Sequence, residues 1–555
     1  MNTNPNSSTL PRWFIYAFVA LAVLWFATLG TRRLLDPDEG RYAEISREML
    51  VSGNWITPRL DGLKYFEKPP LQYWATAIAY KAVGQNEFAV RLWIGLTSFA
   101  GILLAWFSAA RLFGPVVGRM SAMLLAGSLM YIVMAHLNTL DMGLAFFFEL
   151  TLCSFLLAQH APLRSTAERN WMWLAWAAAA LAFLSKGLIA LILPSLTLLV
   201  YSVVTRELSA WKRLHLLTGL PLFLLISTPW IVLVARANPE FLQFFFWHEQ
   251  FERFLTTIHD RDAPWWYFLP LLVAGAVPWI SLCFADLKRS WQTEVVNGAQ
   301  PGFHYRRFLW LWVIVVMLFF SKSHSKLAPY IVPVFPMLAI LTAEALPRLR
   351  TTTIRLHLWV MAGLIGLLTC VVAWVPDTIA GSNSIDLVNA LRPATAGGFF
   401  IVALAAALAG WWAVKFNLQS AVSILGFGAA LGFSLLIFGA DALHTTRSAH
   451  GLAMQLKPQL TAENTLYSVG QYEQTLPFYL QRTLTLVDYR GELDFGLTQQ
   501  PALGVADIDA FLRAWAYDAH PIAVLTPDLY KYLHAQGTPM TIIAQQTNLL
   551  AVSKP

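Results

Sequence analysis

The chain has 555 residues, of which 57% are hydrophobic and 13% charged, with a formal charge of +7. A soluble domain carries about twice that charged fraction, so most of this surface must face lipid. The positive balance is read as the loop bias of a membrane protein rather than affinity for nucleic acid, and the three cysteines, each inside an apolar run, supply neither a disulfide framework nor a metal-binding CxxC.

The polar start MNTNPNSSTLPRW runs into an apolar stretch without a small-residue cleavage site, which predicts an uncleaved first span over 12–30. Further runs of membrane-crossing length lie near 89–110, 117–135, 139–159, 171–184, 188–204, 214–235 and 266–286. Others follow near 308–320, 328–346, 356–375, 396–414 and 419–438, for about thirteen spans in all. Placing the N-terminus in the cytoplasm puts Arg111, Arg119, Arg164, Arg169, Arg206, Lys212, Arg213 and the later basic pairs on the cytoplasmic side. The same assignment leaves residues after 440 outside. Short β-branched runs such as TLYSVG, TLTLVDY and PIAVLT alternate there with candidate helices at 471–480, 507–517 and 527–536. The expected fold is therefore a polytopic α-helical membrane protein with a small C-terminal soluble α/β domain. Its parts are a transmembrane catalytic domain over 1–439, which includes a first periplasmic loop at 31–88, and a periplasmic domain over 440–555.

Chemistry-bearing residues concentrate on the outer side. In LLDPDEGRYAEISREML, Asp36, Asp38 and Glu39 crowd the start of a helix, with Glu39 and Tyr42 on one face. An N-cap is the ordinary role for Asp38. Asp141 opens the fourth span; an ionisable group at that depth is a functional candidate, with helix capping as the plainer alternative. Glu149, about two turns further on, suits an interhelical hydrogen bond. GLKYFEKPPLQYW places Lys68 beside a proline turn, where its ammonium offers a point charge to a phosphate. FLQFFFWHEQFERF reads as an amphipathic interfacial helix carrying His248 and Arg253. SKSHSKL adds Lys322 and Lys326, and clustering of basic residues on outer loops points to an anion-binding site.

These motifs together resemble those of membrane glycosyltransferases of the protein O-mannosyltransferase (GT-C) superfamily. Within it, the chain is similar to the bacterial lipid A 4-amino-4-deoxy-L-arabinose transferases. The resemblance rests on DPDEGRYAEISREML, GLKYFEKPP, the SKG containing Lys186, FFFWHEQFERF, SKSHSKLAPYIVPVFP and GELDFGL. It implies a multi-pass protein of the bacterial inner membrane that binds an undecaprenyl-phosphate-linked aminoarabinose donor and a lipid A acceptor, conferring resistance to polymyxin. It further implies Asp38 and Asp141 as the acidic catalytic pair, and Tyr65, Lys68, Arg253 and Tyr330 around the donor phosphate. Glu39, Tyr42, Lys186, Lys322 and Lys326 take supporting places. No cofactor is required by the chemistry; Glu67 and His248 are the candidates for a divalent ion, zinc or magnesium. In the family pattern the histidine follows the glutamate, whereas here it precedes Glu249. The alternatives are a polyprenyl-phosphate-sugar transferase acting on protein Ser/Thr or another glycan and, more distantly, a lipid transporter or flippase; no internal repeat supports the latter.

Overall fold

A computed structural model describes residues 11–252, 263–285, 287–291, 303–374, 385–415, 417–489 and 491–555. The chain divides into two compact units, one comprising 1–29, 94–235 and 240–439, the other 30–93, 236–239 and 440–555.

The first unit is helical. Among the described residues of the chain, seven helices are long and apolar enough to cross a membrane, including Leu140–His160, Leu216–Ala237, Thr351–Trp374 and Leu418–Arg447. An eighth is counted if Pro115–Ala126 and Leu129–Ala135, bent by 66° at Gly127–Ser128, form one span. Each of the thirteen predicted segments coincides with helix, but several are broken. The 266–286 run splits into Phe268–Gly275 and Ile280–Phe284, and 328–346 begins as a 3-10 turn over Ala328–Val334. Proline explains both departures: Pro278 and Pro333 each lack the backbone donor that a continuous helix needs there. Aromatic side chains fill the helix contacts, as where Phe14 and Phe18 pack on Trp106, and Phe148 on Trp312. Helix Thr351–Trp374 is only 17% buried over its most apolar window, as expected of a face turned to lipid.

The segment predicted as 241–254 forms a π-helical stretch over Gln243–Glu252 rather than a surface-lying amphipathic helix. Phe241 and Phe245 are fully buried and stack on each other, with Trp230 edge-on to both. Glu249, read from the sequence as part of a polar stripe, is also buried.

The second unit holds a six-stranded sheet of β3 (Thr465–Val469), β4 (Thr485–Val487), β5 (Gly504–Val505), β6 (Pro521–Leu525), β7 (Thr541–Gln546) and β8 (Leu549–Ser553). Its order is β5-β4-β3-β6-β8-β7; the first four strands are parallel, while β8 runs antiparallel to β6 and to β7. All five residues of β6 are buried, which is why PIAVL is continuously apolar instead of alternating. Helices Ile508–Tyr517 and Pro527–Ala535 bury Phe511, Trp515 and Leu533 against Val469, Val487 and Val552. The helix predicted at 471–480 is confined to Leu476–Leu480. A small hairpin, β1 (Arg59–Leu60) with β2 (Leu63–Lys64), belongs to the same unit.

Segment 30–93 is thus no free loop. Helix Asp38–Ser52 lies so close to the backbone at Gln474 and Thr475 that a Cβ on Gly40 would fall 2.5–2.6 Å from it. Asp36 accepts from Gln474 N at 2.9 Å and donates its own N–H to Arg447 O at 2.7 Å. Asp61 accepts from Leu484 N, Arg33 pairs with Asp441, and Lys64 N donates to Gln500.

Candidate active site

The chain direction into helix Asp38–Ser52 is set by Pro37, which is itself the N-cap residue, so Asp38 enters as the first helical residue and makes no capping bond. Its carboxylate instead accepts from Arg41 NH1 at 3.0 Å, one turn on. The Asp38 side chain keeps 43% of its surface exposed while Arg41 is 7% exposed, so the acid is presented and the base is the buried support. The other arm of Arg41 is bonded to Glu492. Burial pushes the Glu492 carboxyl up to about 7, although Arg41 opposes the rise. Arg41 was read from the sequence only as one of the basic residues of 31–88, and Glu492 was not singled out as a site residue; its signal was present in GELDFGL.

Glu39 faces the opposite way. Its carboxylate takes Arg91 Nε at 2.8 Å, Arg32 NH1 at 2.7 Å and Leu35 N at 3.0 Å, and all three charged side chains are at most 3% exposed. Burial alone would raise its pKa, but the two guanidiniums overcome that and hold it at about 2. Glu39 is therefore a framework anchor. The same holds for much of the basic cluster expected to bind anions: Arg32, Arg33, Arg41 and Arg47 are each paired with an acid of this unit. Charges brought into a folded interior need partners, and a linear reading has no means of assigning them.

Tyr65 and Tyr42 are buried, and Tyr42 packs on Tyr73 with ring centroids 6.1 Å apart. The Tyr65 hydroxyl has no hydrogen-bond partner among the described residues, and burial holds its pKa well above the usual value. Lys68 donates to the Glu67 carbonyl at 2.7 Å and lies 3.9 Å from the Glu67 carboxylate. Pro69 and Pro70 follow, and helix Leu71–Val83 starts immediately after.

In the helical unit, Thr139 is the N-cap of helix Leu140–His160 and Asp141 makes no capping bond. Asp141 forms a salt bridge with Lys186, the last residue of helix Thr166–Lys186. The Lys186 ammonium also sits 4.5 Å from the centre of the Tyr330 ring, a cation–π contact. Three of the candidates thus come together: Asp141, Lys186 and Tyr330. Lys322 is exposed at the end of helix Tyr305–Lys322, and Lys326 is buried. His248 stacks its ring on Phe244 at 5.2 Å. Arg253 lies outside the described residues. Glu149 is fully buried, and among the described residues neither carboxylate oxygen has a hydrogen-bond partner, so the interhelical bond expected of it is not formed there. Among the described residues no three His, Cys, Asp or Glu side chains gather in a metal-holding cluster.

The family model described as dolichyl-phosphate-mannose-protein mannosyltransferase matches residues 12–245, and that described as the aminoarabinose transferase C-terminal domain matches 452–554. The crystal structure of ArnT from Cupriavidus metallidurans bound to undecaprenyl phosphate superposes with a TM-score of 0.91 at 36% identity, covering 98% of both chains. An archaeal oligosaccharyltransferase from Archaeoglobus fulgidus shares the fold at 11% identity and a TM-score of 0.52, over 94% of this chain and 70% of that one. Together these define a polytopic membrane glycosyltransferase of the GT-C type.

A curated relative from Pseudomonas fluorescens, undecaprenyl phosphate-α-4-amino-4-deoxy-L-arabinose arabinosyl transferase 1, is 33% identical over 84% of this chain and 88% of its own length. One from Edwardsiella ictaluri is 30% identical over 89% and 88% respectively. The chain belongs to this arabinosyl transferase family.

Proposed function

We propose that the protein transfers 4-amino-4-deoxy-L-arabinose from undecaprenyl phosphate to phosphate groups of lipid A at the periplasmic face of the inner membrane, and so confers resistance to cationic peptides such as polymyxin. The observation that carries this reading is the end-to-end similarity to a protein solved with undecaprenyl phosphate bound. The N-terminus lies in the cytoplasm, and segments 31–88 and 440–555 in the periplasm.

In the reaction the bond between the anomeric carbon and the donor phosphate oxygen breaks, an acceptor phosphate oxygen bonds to that carbon, and undecaprenyl phosphate departs. Lys68 and Arg253, with hydroxyls from Tyr65 and Tyr330, stabilise charge accumulating on the leaving phosphate. An acceptor phosphate is already ionised at neutral pH, so no strong general base is needed. Asp38 instead orients the cationic amino sugar and favours oxocarbenium character at the anomeric carbon. Its support from Arg41, which Glu492 steadies from behind, fixes that carboxylate in direction. Asp141 performs the second acidic role, with Lys186 setting its position.

The test is transfer by purified protein from isolated donor to lipid A, followed by mass spectrometry of the lipid. Asp38→Asn and Lys68→Ala abolish the added aminopentose while leaving membrane insertion intact. Wild-type transfer by either variant overturns the site; an aminopentose found on protein or another glycan, with none on lipid A, overturns the acceptor.

A further inference from the structure

The helical unit contains a cavity of about 170 Å³, none of whose lining residues has been given a role above. Its wall is built from Leu152 and Phe155 of helix Leu140–His160, Met172 and Ala179 of helix Thr166–Lys186, Leu198 of helix Ile189–Thr205, and Phe308. Trp176 and Trp211 complete it, yet neither turns its indole N–H to the space. Trp176 donates to Leu214 O at 2.8 Å and Trp211 to Ser202 Oγ at 2.7 Å. The Thr151 hydroxyl at the lining is likewise spent on Phe147 O at 2.7 Å. Pro194, inside its helix, contributes a ring where other residues bring an N–H. Ser195 and Leu216 are exposed at the rim, so the space opens to the outside of the unit.

An apolar cavity of about this size stays dry in water-soluble proteins and takes up hydrocarbon ligands. Here the helices belong to a membrane protein, and the surrounding solvent is hydrocarbon chain. Phe155 lies fourteen residues along its helix from Asp141, roughly 20 Å at the helical rise, so much of the cavity occupies the end of the bundle away from the Asp141–Lys186 pair.

That end has a distinct charge. The connection 206–215 contributes Trp211 and Leu214 to the lining and carries Arg206, Lys212, Arg213 and His215 against a single acid, Glu207. Arg213 is buried and committed: it bonds the carbonyls of Ala158, Gln159 and Ala161 and pairs with Glu168, which His215 also contacts at 3.3 Å. This fixes the connection. Arg206 and Lys212 remain exposed. A hydrocarbon slot beside exposed cations matches an amphiphile with a negative head.

We propose that the cavity binds one acyl chain of an anionic phospholipid, whose phosphate is held at the 206–215 connection by Lys212 and Arg206. The lipid is a resident of the fold, separate from the donor and the acceptor.

The full-length protein in nanodiscs containing phosphatidylglycerol with a diazirine in mid-chain tests this by irradiation and peptide mapping. Adducts concentrate on peptides covering 172–179 and 190–198 and exceed those on the lipid-facing helix Thr351–Trp374. Ala179→Phe, which removes room for several methylenes, lowers cavity adducts by about tenfold or more and leaves those on 351–374 unchanged. Ser195→Trp, which obstructs the rim without touching the buried wall, does the same if the first variant fails to fold. Lys212→Glu reduces labelling by the phosphatidylglycerol probe but not by a phosphatidylcholine probe. Labelling no denser in the cavity than on 351–374 overturns the proposal. Displacement of the probe by undecaprenyl phosphate also overturns it, assigning the space to a prenyl chain.

Discussion

Glu39→Gln separates framework from chemistry at the start of segment 30–93. The substitution keeps shape and an acceptor for Leu35 N but removes the negative charge that meets Arg32 at 2.7 Å and Arg91 at 2.8 Å. Both guanidiniums are 1–2% exposed at the side chain, so they cannot recover hydration by small movements. Breaking a buried ion pair from one side costs about 3–5 kcal/mol, mostly through the unpaired charge left behind. A loss of about 3 kcal/mol multiplies the open population by roughly 150, since each 1.4 kcal/mol is tenfold. Hydrogen exchange over amides 38–49 in the purified protein reads this directly. The same residue also gives a pH signature. Its folded pKa of about 2 lies below the ordinary 4.5, so its contribution is complete above about pH 4.5 and is lost as the pH falls toward 2. The variant lacks that acid dependence. Exchange within twofold of wild type would refute the framework role, and lost transfer with unchanged exchange would place Glu39 on the substrate instead.

Other consequences follow from the paired charges and close contacts. Lys186→Met strands Asp141 and costs about 3 kcal/mol in thermal or exchange assays, whereas Asp141→Asn/Lys186→Met recovers most of that stability but not transfer. Gly40→Ala forces its methyl onto the Gln474–Thr475 backbone and destabilises the second unit by about 1–3 kcal/mol, seen as faster exchange in both 38–49 and 470–480. Glu473 is raised to about 8 by burial and by Asp36, which is bonded to it. The folded state therefore binds more protons between about pH 4.5 and 8, and exchange protection, corrected for intrinsic rates, falls with rising pH across that window. Glu473→Gln flattens the slope.

The helical class was legible because lipid exposure demands apolar composition, and long runs betray it at once. Breaks at Gly127–Ser128 and around Pro278 were harder to read, since a hydropathy window averages across a two-residue interruption. In the sheet, PIAVL and TLYSV announce buried parallel strands, but Gly504–Val505 is too short to carry a pattern. Asp38 and Asp141 were legible as unusual acids, but which residues pair with them was not. Lys186 lies 45 residues from Asp141, and Glu492 is brought to Arg41 only by tertiary folding. The basic wealth of 31–88 is hard to read for the same reason: Arg33 pairs with Asp441 and Arg41 with Glu492, residues that no local window contains. The π-helical stretch at 243–252 shows the opposite failure, where periodicity assigned Glu249 to a wet face and packing buried it.

The hydrogen bond from Gln474 to Asp36 joins positions 438 residues apart. At roughly 5–20 residues per second, synthesis leaves Asp36, Arg33 and Arg41 waiting for somewhere between twenty and ninety seconds before their counterparts emerge. During that interval helix Asp38–Ser52 can pack on Tyr73 and Tyr80 but lacks the Gln474–Thr475 backbone against its Gly40 side, and that part of its burial belongs to the closing stage of assembly. The geometry around Asp38 is consequently a late product of biogenesis. A ribosome that stops before Gln474 releases a chain with intact helices in the bilayer and an unfinished setting for Asp38.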